Sequence, residues 1–387
     1  MFTKSLIGLS VLVALFGCTN DQTEATPNTI KTSDKLVKTP EVDINKRANI
    51  DLKVAQFTQD FIQAEPALAT SLNLSSDIGG DFQQRLPDYS PAGMQALQQK
   101  MQHWASELAS IDTANLSDDD KRHVVVNQVI ASYYAGDRTF NAGYIDTWAG
   151  HLPYIVNQIS GPLIDIPAIL TDQQTISNLS DAQDYLSRLS ALAEMTLQVK
   201  AKVEADATNG VILPKPLFTN TLKYLANFVA KPASEHALVT SFEEKLTNTA
   251  KINDKHRQDL VAQATKLVGE KIYPAYRKVS LLMTSLEQKA PTDVGIWAQP
   301  NGESFYQHDI TYLADSDLSA DEIHQLGIEE VNRITSEMDS ILKANGYDKG
   351  SVGERMIQLS SEPRFLYQNS DAGRQQLLRI LVKISLW

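Results

Sequence analysis

Seven histidines are the side chains in this 387-residue sequence with the widest chemical reach: His103, His123, His151, His236, His256, His308 and His324. A helical zinc site of the His-Glu-x-x-His kind needs two imidazoles one turn apart, so that both point from one face at one ion. No two histidines here stand three to five residues apart, and no His-Glu dipeptide occurs. Distant histidines would have to be gathered by the fold. His324, in DEIHQLGIEE, has Asp321 behind it and Ile328 ahead within one turn. Glu329, five positions on, falls about 140° further round a helix and is no co-ligand from that helix. His324 therefore reads as an interfacial histidine held by Asp321 or a loop carbonyl. His308, beside Asp309, reads the same way, and His151 in WAGHLPYIVNQISGP reads as a structural hydrogen-bonding residue after a turn.

Other chemistries leave no signature. There is no Gly-x-Ser-x-Gly nucleophile elbow and no Gly-x-x-x-x-Gly-Lys-Ser/Thr phosphate loop. Paired acids such as Glu329-Glu330 and Asp118 to Asp120 sit where solvent and helix dipoles explain them. With 35 Lys and Arg against 47 Asp and Glu, the formal net charge is −12. That argues against nucleic acid, whose phosphates require a basic face. A chain of this length, 42% hydrophobic, buries a core without help from disulfides.

The single cysteine gains meaning from its place. MFTKSLIGLSVLVALFGC carries one basic residue, Lys4, then an apolar run from Leu6 to Phe16, then Cys18. This is a secretory signal layout, too short for a permanent bilayer span. Leu15-Phe16-Gly17-Cys18 resembles the lipobox of bacterial lipoproteins. The resemblance implies a signal peptide over 1–17, a diacylglycerol thioether on Cys18, and anchoring to a membrane through that lipid. Thr19 in place of Asp favours, by the same resemblance, an outer-membrane address facing the periplasm. The lipidated Cys18 and residues to 45, rich in Thr, Asp, Lys and Pro, read as a tether that cannot offset its ordering entropy.

Beyond residue 45 helical periods dominate, and the expected class is mainly α. Val54, Phe57 and Phe61 share a face, closed by Pro66 just after Glu65. Ser117 announces a helix with Asp118, Asp119 and Asp120 in its first turn. Another runs from a Ser180 cap through Tyr185, Leu189, Leu192, Thr196, Val199 and Val203 to Asn209-Gly210. Ser319 to Glu322 forms a capping box before the stripe Ile323, Leu326, Ile334, Met338 and Ile341, which stops at Asn345-Gly346. Val211 to Leu213 and Gly295 to Trp297 are the short strand candidates.

Several ordered stretches together resemble one family, the bacterial proteins grouped as domain of unknown function 885 (DUF885). The strongest is GIWAQPNGESFYQHDITYLADSDLSADEIHQLGIEEVNRITSEMDSI, residues 295–341. It holds the family's Gly-x-Trp, Pro-x-Gly, aromatic pair and acid-Glu-Ile-His-x-Leu-Gly helix in order. YPAYRKV (273–279), LSSEPRFLYQNSDAGRQQLL (359–378) and FTQDFIQAEPALATSLNL (57–74) support it. The resemblance implies a multi-helix domain over 46–378, like the amino-terminal part of a helical zincin-like fold.

The family is similar in its later half to helical zinc peptidases. Its His-Glu, Pro-Gly-His-His and Glu-Gly-Trp segments would supply metal ligands and a general base there. None of these segments occurs in this sequence. No zinc or other cofactor is therefore expected in this chain, only in full-length relatives, and the hydrolase activity is expected to be missing. From Leu377 eight of eleven residues are apolar, ending in Trp387, and RILVKISLW (379–387) does not resemble the family's charged continuation. A frame-shifted or truncated reading frame and a natural short variant with a docked end are the two expectations for such a tail. The functional expectation is a cell-envelope lipoprotein, the amino-terminal part of a metallopeptidase-like hydrolase. The alternative is a non-catalytic helical lipoprotein that binds a peptide or envelope partner. Its candidate cleft contacts are Trp297, Tyr306, His308 and His324, although core packing is the commoner use of such aromatics.

Overall fold

The structure is a computed structural model of the chain; it describes residues 44–75, 78, 80–114, 116–136, 143–146, 150–249 and 252–385. Cys18, the signal layout and nearly all of the tether lie outside the described residues. Helices dominate, as the periodicity requires, in two compact units that meet in sequence at Ala314 and Asp315. None of the described helices is long and apolar enough to cross a membrane.

In the first unit, α1 (Ile44–Ala64) buries Phe57 and Phe61 on the face the spacing predicts. Pro66 fits the first turn of α2 (Pro66–Ser71), where its missing N–H costs nothing, so Glu65 becomes the residue at the helix entrance. α3 (Pro91–Ala109) is capped by Ser90, and α4 (Asp118–Ala135) by Ser117, whose hydroxyl accepts from the Asp120 amide. These helices pack on Phe57, Phe61, Met101, Leu108 and Tyr134 as one core cluster. Each such side chain, buried, is worth about 1.5–3 kcal/mol.

A second cluster surrounds α6 (Leu179–Thr208), after α5 (Pro162–Asp172). Its buried face, with Tyr185, Leu189, Leu192, Thr196 and Val199, follows the expected stripe. The cap, however, is Asn178 rather than Ser180: its side-chain oxygen accepts from the Asp181 amide. Asn and Ser cap equally well, so the local choice was set by where the turn ends. α7 (Lys215–Phe228), α8 (Ala237–Thr247), α9 (Asp254–Leu267) and α10 (Tyr273–Glu287) complete this cluster. A single π turn, Val268–Ile272, precedes Pro274, which has no amide hydrogen for the helical ladder.

The strand expectation needs correcting. Residues 211–213 are irregular and Ile296–Ala298 is a 3-10 turn. The described strands are β1 (Tyr144–Asp146) and β2 (Gly150–Leu152), an antiparallel pair with Ile145 opposite His151. Three residues are too few for alternation to show in a sequence.

α11 (Gly302–Leu313) closes the first unit and packs against β2. Two glycines of the DUF885-like stretch set its start. The Trp297 ring lies where a Cβ on Gly295 would be, 2.2 Å away, and a Cβ on Gly302 would fall 1.7 Å from the Ile296 carbonyl oxygen. Only bare Cα atoms allow this fold-back.

The second unit holds α12 (Ala320–Ala344), α13 (Val352–Ser360) and α14 (Asp371–Ser385). The Ser319–Glu322 capping box is formed, and α12 ends at Asn345-Gly346, with Gly346 at φ +85°. Buried Arg355 pairs with Asp339 and donates to the Tyr347 carbonyl at 3.1 Å, tying α13 to α12. Leu326, Ile334 and Ile341 of the predicted stripe are exposed, as are Ile380, Val382 and Ile384 of α14.

Candidate functional site

A cleft of about 350 Å³ opens in the first unit. Its walls are the α1–α2 junction, the segment from Arg85 to Tyr89, α3, the β1–β2 pair and α11. Leu86, Met94, Leu97 and Phe305 give it apolar surface, while Glu65, Tyr89, His151 and His308 bring polar groups to it.

Glu65 is where the cleft departs most from ordinary chemistry. The Pro66 turn places its carboxyl among protein atoms, and burial pushes it up from the usual carboxylate range to about 8. At neutral pH it is mostly a neutral acid, able to donate one hydrogen bond and accept another. The Tyr89 phenol is pushed well above its ordinary range, first by burial and then by the charges of Glu65 and the other acidic groups around it, so it too keeps its hydrogen. Tyr89 is further fixed by its amide, which donates to Gln198 Oε1 of α6 at 3.3 Å.

Arg188 holds this wall from behind. Fully buried, it donates to the backbone carbonyls of Pro66 (3.1 Å), Phe82 (2.9 Å) and Arg85 (3.0 Å), and to Gln174 Oε1 (3.2 Å). The fork of a guanidinium serves several acceptors at once, which an ammonium cannot match.

Another part of the lining gathers two histidines that the sequence left apart. His151, on β2, places Nδ1 2.7 Å from Asp309 Oδ1 and Nε2 2.8 Å from the Tyr133 carbonyl oxygen. That agrees with the hydrogen-bonding role read for it. His308 is its neighbour, ring to ring at 5.2 Å, with Nδ1 4.0 Å from Asp309 Oδ1. Tyr133 and Tyr312 flank the pair at 4.4 and 4.6 Å. Burial raises the Asp309 carboxyl, but His151 and His308 outweigh it and hold the group below its usual range. One donor atom from each of His151, His308 and Asp309 lies within 4.8 Å of the others, so these residues could hold a cation. The distance of 158 residues between His151 and Asp309 explains why a search for one-turn spacing could not see the group.

The other predicted contacts are placed elsewhere. Trp297 is 77% exposed and Tyr306 51% exposed, so neither packs in the core, and neither lines the cleft. Phe305, one residue before Tyr306, is the aromatic that does. His324 is exposed on α12 in the second unit. Glu65, Tyr89 and Arg188 were missed. The Glu-Pro step at the helix entrance was the available signal for the first of these.

The comparisons bear on the family and the fold. The model of a family described as "Bacterial protein of unknown function (DUF885)" matches residues 66–384. The crystal structure of the "putative lipoprotein" from Colwellia psychrerythraea is similar, with 36% identity and a TM-score of 0.82. The alignment covers 88% of this chain and 58% of that one, so the chain spans less than two thirds of the length of the protein it matches. No curated protein matches the sequence. With ordered motifs, fold and family model in agreement, this chain belongs to the DUF885 family of bacterial proteins.

Proposed function

We propose that this chain is a lipid-anchored protein of the bacterial cell envelope whose first unit binds peptide in the Glu65–His151 cleft. It forms the substrate-binding, amino-terminal part of a metallopeptidase-like hydrolase. The observation that carries the reading is a cleft of about 350 Å³ lined by both apolar side chains and polar groups, Glu65 and Tyr89 among them. A peptide offers alternating carbonyl acceptors and amide donors together with side chains of varied polarity. Glu65 and Tyr89, both holding their hydrogens, can donate to a carbonyl. Leu86, Met94, Leu97 and Phe305 take apolar side chains. Sites of this size with few convergent polar groups are typical of small-ligand binding.

The anchor rests on the Leu-Phe-Gly-Cys lipobox at Cys18 and on the lipoprotein naming of the Colwellia relative. The outer-membrane address rests on Thr19 alone. The hydrolytic step is assigned to the His-Glu and Pro-Gly-His-His segments of the family, which these 387 residues do not contain. This chain is expected to bind peptide without cleaving it.

Saturation-transfer NMR with Ala-Xaa-Ala tripeptides tests the binding. Wild-type chain should transfer saturation to a subset of the tripeptides and leave them intact. Ala96→Trp, which fills the cleft from an exposed position on α3, should abolish the transfer. Equal transfer to the filled variant would refute the site.

A further inference from the structure

We propose that His151, His308 and Asp309 form a binding site for a divalent cation of the zinc class, open to the cleft. Two imidazoles and one carboxylate suit zinc, cobalt and iron(II), and they leave coordination positions free for water or a ligand. The donor atoms already lie within 4.8 Å of one another. A tetrahedral ion with bonds of about 2.0–2.2 Å needs donors about 3.3–3.6 Å apart, so small rotations of these side chains close the set.

The far side of His151 is the strongest argument. Its Nε2 faces the Tyr133 carbonyl oxygen at 2.8 Å, and a carbonyl only accepts. That nitrogen therefore carries a hydrogen, and Nδ1 is the atom directed at Asp309. Histidines that ligate metals show this same arrangement, one nitrogen on the ion and the other donating to a fixed oxygen. A simple His–Asp pair would explain His151 and Asp309. His308 also faces Asp309, with Nδ1 4.0 Å from Oδ1, and packs ring to ring with His151 at 5.2 Å while lining the same cleft, so all three donors converge there. His151 and His308 both border the cleft, so the free positions of the ion face its contents.

This site does not depend on peptide binding, and the test measures metal alone. The untagged 387-residue chain, stripped with a chelator, is titrated with Co2+ and then Zn2+. One Co2+ per chain is expected, with the visible absorption of low-coordinate cobalt and displacement by Zn2+. X-ray absorption should count two imidazoles. His308→Ala and Asp309→Asn should each weaken binding by more than the roughly 10–100-fold that loss of an outer-shell partner costs. His256→Ala, exposed on α9, should change nothing. Absence of saturable Co2+ binding, or binding that survives both substitutions, would overturn the proposal. If the variants fail to fold, a wild-type absorption spectrum without two imidazoles overturns it equally.

Discussion

Arg188 Nε donates to the carbonyl oxygen of Arg85 at 3.0 Å, joining the middle of α6 to the segment that lines the cleft 103 residues earlier. Burial pulls its guanidinium down to about 10, with the Asp184 charge opposing, so it stays cationic at neutral pH. The cleft wall is held by a charge spent entirely on backbone oxygens and Gln174. Arg188→Met should leave those carbonyls buried without donors. The expected loss is at least about 1–3 kcal/mol in urea unfolding, the cost of leaving even one buried acceptor unsatisfied. A loss under about 1 kcal/mol would mean the wall stands without it.

Glu65 gives the stability a pH dependence of defined sign. Its carboxyl has an ordinary range near 4.5 when unfolded and rises to about 8 when folded. Between those values the folded chain holds a proton that the unfolded chain has lost, so stability falls as pH rises through this window. Glu65→Gln should remove that slope. The variant should match wild type near pH 5 and exceed it by about 2 kcal/mol near pH 9, less than a full shift implies because the side chain borders an open cleft. Parallel stability curves for the two proteins from pH 5 to 9 would contradict the assignment.

The helices were legible because their signals are local. Phe57 and Phe61 share a face by spacing alone, and Ser117, Ser319 and Asn345-Gly346 act within one turn of their helices. The site was not legible, because His151 meets Asp309 only after β2 and α11 have been brought together by the packing of the whole first unit. Glu65 looked like a residue at a helix entrance, and it is one. Its altered acidity comes from burial, which the sequence does not show. Trp297 misled for the opposite reason: its ring lies on Gly295 to set a turn, at the surface, rather than in a core or a cleft.

The start of α11 makes a prediction about two glycines. Gly302→Ala forces a Cβ against the Ile296 carbonyl, 1.7 Å away before any movement. It should cost more than about 2 kcal/mol, as backbone clashes at special positions do. Gly327→Ala, in the exposed middle of α12 with nothing within 4 Å, should instead stabilise by about 0.5–1 kcal/mol. Thermal melts of both variants check the contrast. Similar effects would show that the fold-back tolerates a side chain.

The anchor is tested separately from the cleft. In bacterial cells fed radiolabelled palmitate, wild-type chain should incorporate label and sediment with membranes. Cys18→Ser should lose the label and most of the sedimentation, since an acyl chain contributes about 0.8 kcal/mol per buried CH2. Unchanged membrane recovery of an unlabelled Cys18→Ser chain would put the attachment elsewhere.

The most direct test of the central claim is to map where peptide lands. In amide-detected NMR spectra of the labelled chain, addition of a tripeptide that binds should shift Gly93, Gln98, Tyr144 and Phe305, which surround the cleft, and leave α12 to α14 unmoved. Shifts confined to residues 315–385, or no shifts at saturating peptide, would contradict the account.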